Sequence, residues 1–150
     1  MKTGDLARDF ELPDETGTLR RLGDFLSGGP VVLFFYPAAM TMGCTAECRH
    51  FRDLAADFRE VEAQRVGISR DAIDKQRRFS EQNAFDFPLL SDRDGAVARA
   101  FGVQRRFGLA PTKRTTFVIG RDRRILRVIR SELNMRAHAN LALEALRGAS

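Results

Sequence analysis

Two periods of hydrophobicity divide this chain. Apolar and polar positions alternate on either side of an Asp-Glu-Thr-Gly stretch in "DFELPDETGTLRRL" (9–22), which predicts a small N-terminal hairpin. The run "VVLFFYP" (31–37) is apolar without a break and rich in β-branched and aromatic residues, the pattern of a strand buried on both faces. After Cys44 the period changes: Phe51, Leu54, Ala55, Phe58 and Val61 recur at helical spacing with charge on the opposite side. "RVGIS" (65–69) reads as a second strand, and 71–83 as a polar helix that Asp71 is placed to cap. "FPLLSD" (87–92) is a short extended segment ahead of a helical pattern in "GAVARAFGV" (95–103). "RTTFVIGRDRRILRVIR" (114–130) alternates about a Gly-Arg-Asp turn and predicts a hairpin, and Leu141, Ala142, Ala145 and Leu146 give a C-terminal helix its apolar face.

Strands alternating with helices, then a late hairpin and helix, imply an α/β fold with a mixed central β-sheet flanked by helices. A length of 150 residues, without repeat or linker, fits a single domain spanning 1–150. The first strand-to-helix junction follows "VVLFFYP" and holds both cysteines of the chain, Cys44 and Cys48. Ligands of open α/β sheets bind at such junctions, outside the carboxyl ends of the strands.

The charge balance changes this picture little. The net charge of +5 comes almost wholly from arginine, Lys2, Lys75 and Lys113 being the lysines. The arginines are scattered, and the densest group, in "GRDRRILRVIR", occupies the polar positions of the hairpin; no specific nucleic-acid partner is expected. "VVLFFY" is far too short to span a membrane, and the N-terminus lacks the basic end and apolar stretch of a secretory signal. A cytoplasmic setting follows as the expectation. There, two close cysteines act as a metal clip, a redox pair or small core hydrophobes more often than as a structural staple.

Cys44 falls where the first helical turn should begin, near unpaired backbone N–H groups and the positive end of the peptide dipoles. That setting favours the thiolate, the reactive form of cysteine. Gly43 permits close backbone approach, and Thr41 can either cap the helix or offer its hydroxyl to the same pocket.

Pro37, Thr41 and Cys44, in "PAAMTMGCT", resemble the P-x-x-x-T-x-x-C signature of peroxiredoxins. The blocks "GDLARDFELPDETG", "VVLFFYP", "GCTAE", "FRD", "VGIS", "FPLLSD", "AFGV" and "RTTFVI" extend the similarity over nearly the whole chain, to the peroxiredoxin Q or bacterioferritin comigratory protein group. The resemblance implies a thioredoxin-like fold and reduction of hydrogen peroxide or organic hydroperoxides, without a metal or other cofactor. It makes Cys44 the peroxidatic cysteine, oxidised to a sulfenic acid. It makes Thr41 a hydrogen-bonding partner of thiolate and peroxide, and Pro37 a shield of the pocket from water. Arg114, in "KRTTFVI", matches the arginine that holds the thiolate and the charge developing on the leaving oxygen. Glu47 matches a Glu or Gln that orients that arginine.

The chain departs from the group at the second cysteine. Many members carry it five residues after the first; here Cys48 stands four after, Arg49 holds the five-after position, and Met42 stands where proline is common. Residues four apart on a helix hold their Cβ atoms about 5–6 Å apart. A disulfide wants about 3.5–4.5 Å, so pairing requires local unwinding. The expectation is that Cys48 resolves the sulfenic acid as an intramolecular disulfide, reduced by thioredoxin or a similar thiol partner. A one-cysteine cycle with an external thiol and an intermolecular disulfide are the alternatives, in a monomer or a homodimer. The rival from another class is a Cu(I)-binding thioredoxin-fold chaperone using the C-x-x-x-C pair with His138 or His50, although His138 reads as a solvated residue before the last helix. A dithiol oxidoreductase would show C-x-x-C instead. "QRRFGLAPTK" (104–113) is expected to be a loop flanking the pocket, and Met40 and Met42 to lie near the thiol.

Overall fold

A computed structural model describes residues 1–104 and 112–149. The N-terminal hairpin forms as expected from β1 (Glu11–Pro13) and β2 (Leu19–Arg21), paired antiparallel. Its turn is fastened by the Asp14 carboxylate, which accepts from the Thr16 and Thr18 backbone N–H groups and from Arg20. A short helix, α1 (Leu22–Leu26), leads into β3 (Val31–Phe35), whose five residues are all buried.

The chain continues through α2 (Met42–Asp53), α3 (Ala55–Glu60), β4 (Gln64–Ser69), α4 (Ile73–Asn83), β5 (Leu89–Ser91) and α5 (Ala96–Ala100). It ends in the hairpin of β6 (Thr115–Ile119) and β7 (Ile125–Arg130), followed by α6 (Met135–Ala149). The central sheet has the order β5-β4-β3-β6-β7: β3, β4 and β5 run parallel, and β6 pairs antiparallel with β3 on one side and β7 on the other. This is the mixed sheet flanked by helices that the sequence predicts.

The period-two alternation of β3 sorts the interior into two cores. Val32, Phe34 and Tyr36 join Cys44, Cys48, Phe51, Phe79, Ala139 and Leu143 on the face covered by α2, α4 and α6. Val31, Leu33 and Phe35 join Phe25, Val97, Phe101 and Phe117 on the face covered by α1 and α5. Facing residues of paired strands share a side, so Thr116 of β6, opposite Phe34, lies on the α2 and α6 side.

Three expectations are corrected. The apolar stripe from Phe51 to Val61 is not one helix, because α2 ends at Asp53 and α3 begins at Ala55. Arg65 of β4 donates to the Phe51 carbonyl at 2.8 Å, occupying an acceptor that a continuous helix would use. Asp71 does not cap α4, which starts after Ala72 with no side-chain cap. Its carboxylate is engaged instead by the Ala39 N–H at 2.7 Å and the Ser69 hydroxyl at 2.6 Å. Along α6 the fully buried positions are His138, Ala139, Ala142, Leu143 and Leu146, whereas Leu141 and Ala145 pack at the margin. His138 therefore belongs to the interior, in the first turn of α6.

Candidate active site

Strand β3 delivers the chain to the site through the loop 36–41. The loop is held from below: Asp71 accepts from Ala39 N–H, Ser69 links Asp71 to Gln76, and Gln76 accepts from the Tyr36 hydroxyl at 2.6 Å. Met40 adopts φ +66°, a left-handed conformation uncommon outside glycine, as the loop turns into α2. Thr41 then takes the N-cap position without a side-chain cap bond. Its hydroxyl donates to the Ala38 carbonyl at 2.8 Å, and its own carbonyl accepts from Thr45. Pro37 is half-buried at the start of this loop. The structure thus places Pro37 and Thr41 beside the thiol-bearing turn, with the Thr41 hydroxyl committed to the loop backbone.

Helical spacing aligns Cys44, Glu47, Cys48 and Phe51 along the buried face of α2. Phe51 fixes that face to the sheet by stacking on Phe34, with centroids 4.1 Å apart and planes inclined by 9°. Both cysteines are free and fully buried.

Arg114 precedes β6 and continues its alternation, so its side chain shares the side of Thr116 and points to α2. Its Nη2 donates to Cys44 Sγ at 3.3 Å, and its Nη1 donates to Glu47 Oε1 at 2.9 Å. Its backbone N–H is held by Glu132 Oε1 at 3.0 Å. Its Nε is buried without a hydrogen-bond partner. Burial works against the guanidinium charge, but Glu47 and Cys44 outweigh it and raise the Arg114 pKa above its ordinary value. Gly43 packs close to this arrangement: a Cβ there would stand in ordinary contact with Arg114 Nη2 at 3.4 Å and the Met135 thioether at 3.6–3.7 Å.

Glu47 is completely enclosed, and burial pushes its carboxyl up to about 8 despite the opposing effect of Arg114. Cys48, one turn beyond Cys44, is pushed well above the usual thiol range by burial and then by Glu47 and Cys44. His138 lies against Glu47, with Nδ1 3.6 Å from Oε2. Its Nδ1 also meets Thr116 Oγ1 at 2.7 Å, and its Nε2 meets the Ser131 carbonyl at 2.8 Å.

Cys44, Glu47 and Arg114 are therefore brought into direct contact, with Cys48 on the same helix face. The sequence reading placed His138 in solvent and passed over Thr116, whereas both are buried beside Glu47. The signal for His138 was available, since it stands four residues before Ala142 and eight before Leu146 on one helical stripe. No local pattern marks Asp71 as an anchor of a loop thirty-two residues upstream. For the copper alternative, His138 has both ring nitrogens engaged and His50 bonds Asn140 at 2.8 Å. Of the expected flanking loop 104–113, residues 105–111 lie outside the described residues. Met42 is almost fully exposed at the helix start, and Met40 is exposed in the loop before it.

Residues 3–128 match the AhpC/TSA family. The chain is 34% identical over 155 residues to peroxiredoxin Bcp of Bacillus subtilis, covering 100% of this chain and 98% of that protein. Among solved structures, peroxidoxin BcpB of Mycobacterium tuberculosis superposes with a TM-score of 0.96 at 62% identity, over 100% of this chain and 99% of the other. The bacterioferritin comigratory protein of Xanthomonas campestris, described for alkyl peroxide reduction, superposes with a TM-score of 0.85 at 31% identity, over 93% and 91% of the two chains.

Proposed function

The chain belongs to the AhpC/TSA family and is a thiol-dependent peroxidase of the peroxiredoxin type; from that premise we propose that Cys44 is its peroxidatic nucleophile. The observation that carries this assignment is the bond from Arg114 Nη2 to Cys44 Sγ, made by a guanidinium that Glu47 holds on its other arm. The thiolate attacks one oxygen of a hydroperoxide and the O–O bond breaks. Cys44 becomes a sulfenic acid, and the departing oxygen takes a proton to leave as water or an alcohol. Arg114 faces the charge that moves from sulfur to the leaving oxygen, and its unpartnered Nε–H is a donor for a substrate oxygen. Pro37 shields the sulfur from the loop side, and the Thr41 hydroxyl, bonded here to the Ala38 carbonyl, turns to thiolate and peroxide when the loop moves. Cys44 is fully buried, so the sulfur meets substrate when that loop or the first turn of α2 moves. Organic hydroperoxides stand beside hydrogen peroxide as substrates, in keeping with the alkyl peroxide reduction ascribed to the Xanthomonas protein.

Cys48 resolves the intermediate. Its thiol condenses with the Cys44 sulfenic acid, a disulfide forms, and water is released. The two sulfurs occupy successive turns of an intact α2, so the first turns unwind before they bond. Opening frees Cys48 from the burial that suppresses its ionisation. A thioredoxin-like dithiol then reduces the disulfide by exchange. We place this cycle in the reducing cytoplasm, in a chain acting as one domain over 1–150. No helix among the described residues is long and apolar enough to cross a membrane.

Anaerobic addition of one equivalent of hydroperoxide, with thiol counting and intact mass, tests the scheme. Loss of both thiols within one chain is expected. In Cys48→Ser a sulfenic acid should persist and turnover with thioredoxin should fall at least about tenfold. Unchanged turnover would establish the one-cysteine cycle, which the suppressed ionisation of Cys48 in the closed helix favours. Absence of any fast reaction would reject Cys44 as the nucleophile.

A further inference from the structure

The reaction above uses only one oxygen of Glu47. Glu47 gives Oε1 to Arg114, but its Oε2 is sealed from solvent and has no hydrogen bond. The polar atom that faces it is His138 Nδ1, at 3.6 Å. His138 is fully buried and its ring is fixed from two sides. Nε2 contacts the Ser131 carbonyl, which only accepts, so Nε2 carries a hydrogen. Nδ1 contacts the Thr116 hydroxyl. With Glu47 ionised and His138 neutral, the Thr116 hydroxyl donates to the Nδ1 lone pair and Oε2 is left an anionic oxygen with no donor in a site closed to water. Such an arrangement is costly, and one proton, on Oε2 or on Nδ1 with the two groups then paired as ions at 3.6 Å, removes the cost.

We propose that Glu47 and His138 carry a single proton, on Oε2 or on Nδ1, so that the pair is neutral and, of the two groups the Arg114 guanidinium binds, the Cys44 thiolate alone carries net charge. This rests on the reading of Cys44 as the nucleophile and assigns His138 as a positioning residue for it. Arg114 is one cation between two groups that can each be an anion. An ionised Glu47 beside a neutral His138 would draw the guanidinium charge away from sulfur, and in a weakly screened interior that competition is strong. A neutral pair leaves the Nη1 bond to Glu47 Oε1 in place while returning the full charge to the thiolate.

The surroundings agree. Charged or titratable groups reach the pair from three directions: Cys44 and Cys48 on α2, Arg114 ahead of β6, and Glu132 between β7 and α6. Burial raises the Glu47 carboxyl and lowers the His138 imidazole, so near neutrality the proton resides on Glu47 while Nδ1 accepts from Thr116. The arrangement also joins α2 to α6 directly behind the thiol.

Two measurements on the full chain test this. The chain has two histidines, so His50→Gln assigns the imidazole ¹⁵N spectrum, and isotope-edited infrared with Glu47→Gln as the difference reports the carboxyl. From about pH 6 to 8 the expected result is a neutral Nε2–H His138 with a protonated Glu47, or an imidazolium with an ionised Glu47. A neutral His138 with an ionised Glu47, or protons on both, overturns the proposal. Second, His138→Gln offers an amide N–H to Oε2 and favours the ionised carboxylate. It should slow alkylation of Cys44, measured in Cys48→Ser, about fivefold when Glu47 is present and less than about twofold in the Glu47→Gln background. Equal losses in both backgrounds make His138 a packing residue and overturn the proposal. The spectroscopic arm needs no change at His138 and decides the matter if that variant does not fold. Neither readout depends on peroxide turnover, whereas loss of turnover in Cys44→Ser tests the nucleophile separately.

Discussion

Arg114 lies seventy positions from Cys44 in the chain and 3.3 Å from it in the fold. Sequence spacing offers no hint of that contact, and only family resemblance singled this arginine out from the others. The two donors it commits, to Cys44 and Glu47, demand a planar fork, so charge alone does not replace it. Arg114→Gln should lower the rate of Cys44 oxidation by hydroperoxide about 10²- to 10³-fold, with Arg114→Lys recovering only part of the loss. Stopped-flow oxidation and thiol alkylation measure the effect. An arginine-independent rate would remove it from the reaction. His138 illustrates the opposite failure of reading. Its helical stripe was visible, but the start of α6 was not, and a histidine near a helix end reads as solvated until the burial of Ala139 and Ala142 around it is known.

Elements defined by their own residues were legible. The β3 run and the two hairpins appear where periodicity predicts them, because burial on two faces or one leaves a direct imprint on the chain. Features imposed from elsewhere were not. The break at Leu54 depends on Arg65 reaching the Phe51 carbonyl, and the loop 36–41 depends on Asp71. Asp71 keeps Ala39 in place beneath the thiol-bearing turn, while Lys75 pairs with its second oxygen at 3.2 Å. Asp71→Ala removes these partners and should cost about 1–3 kcal/mol in denaturant unfolding. The same change should slow Cys44 oxidation severalfold as the loop loosens. Full stability with unchanged kinetics would show that the loop is held by its own packing.

The two cores meet across β3, so a charge change in either is felt as a change in the stability of the whole sheet. Glu47 supplies a pH dependence with a defined sign. Its carboxyl is raised from an ordinary 4.5 to about 8 in the folded chain. Between those values the native state holds a proton that the unfolded state releases. The stabilisation is full below the unfolded value and is lost as pH rises through about 8. His138 acts in the other sense: its lowered imidazole stabilises above its ordinary 6.5, and that contribution is lost as pH falls through the native value. The melting temperature of the native chain minus that of Glu47→Gln should therefore fall by a few degrees between about pH 5 and pH 8.5. A difference that stays flat across that range would show that Glu47 titrates alike in both states.

The division between α2 and α3 bears on how far a redox event can spread. Phe51 is clamped on Phe34 and its carbonyl is claimed by Arg65, so unravelling that begins at Met42 meets a firm stop before Leu54. The chain bends its active helix as one would lift the free end of a pinned ribbon. Oxidation can reshape the surface around Cys44 for a reductant to read, while α3 and β4 keep their register.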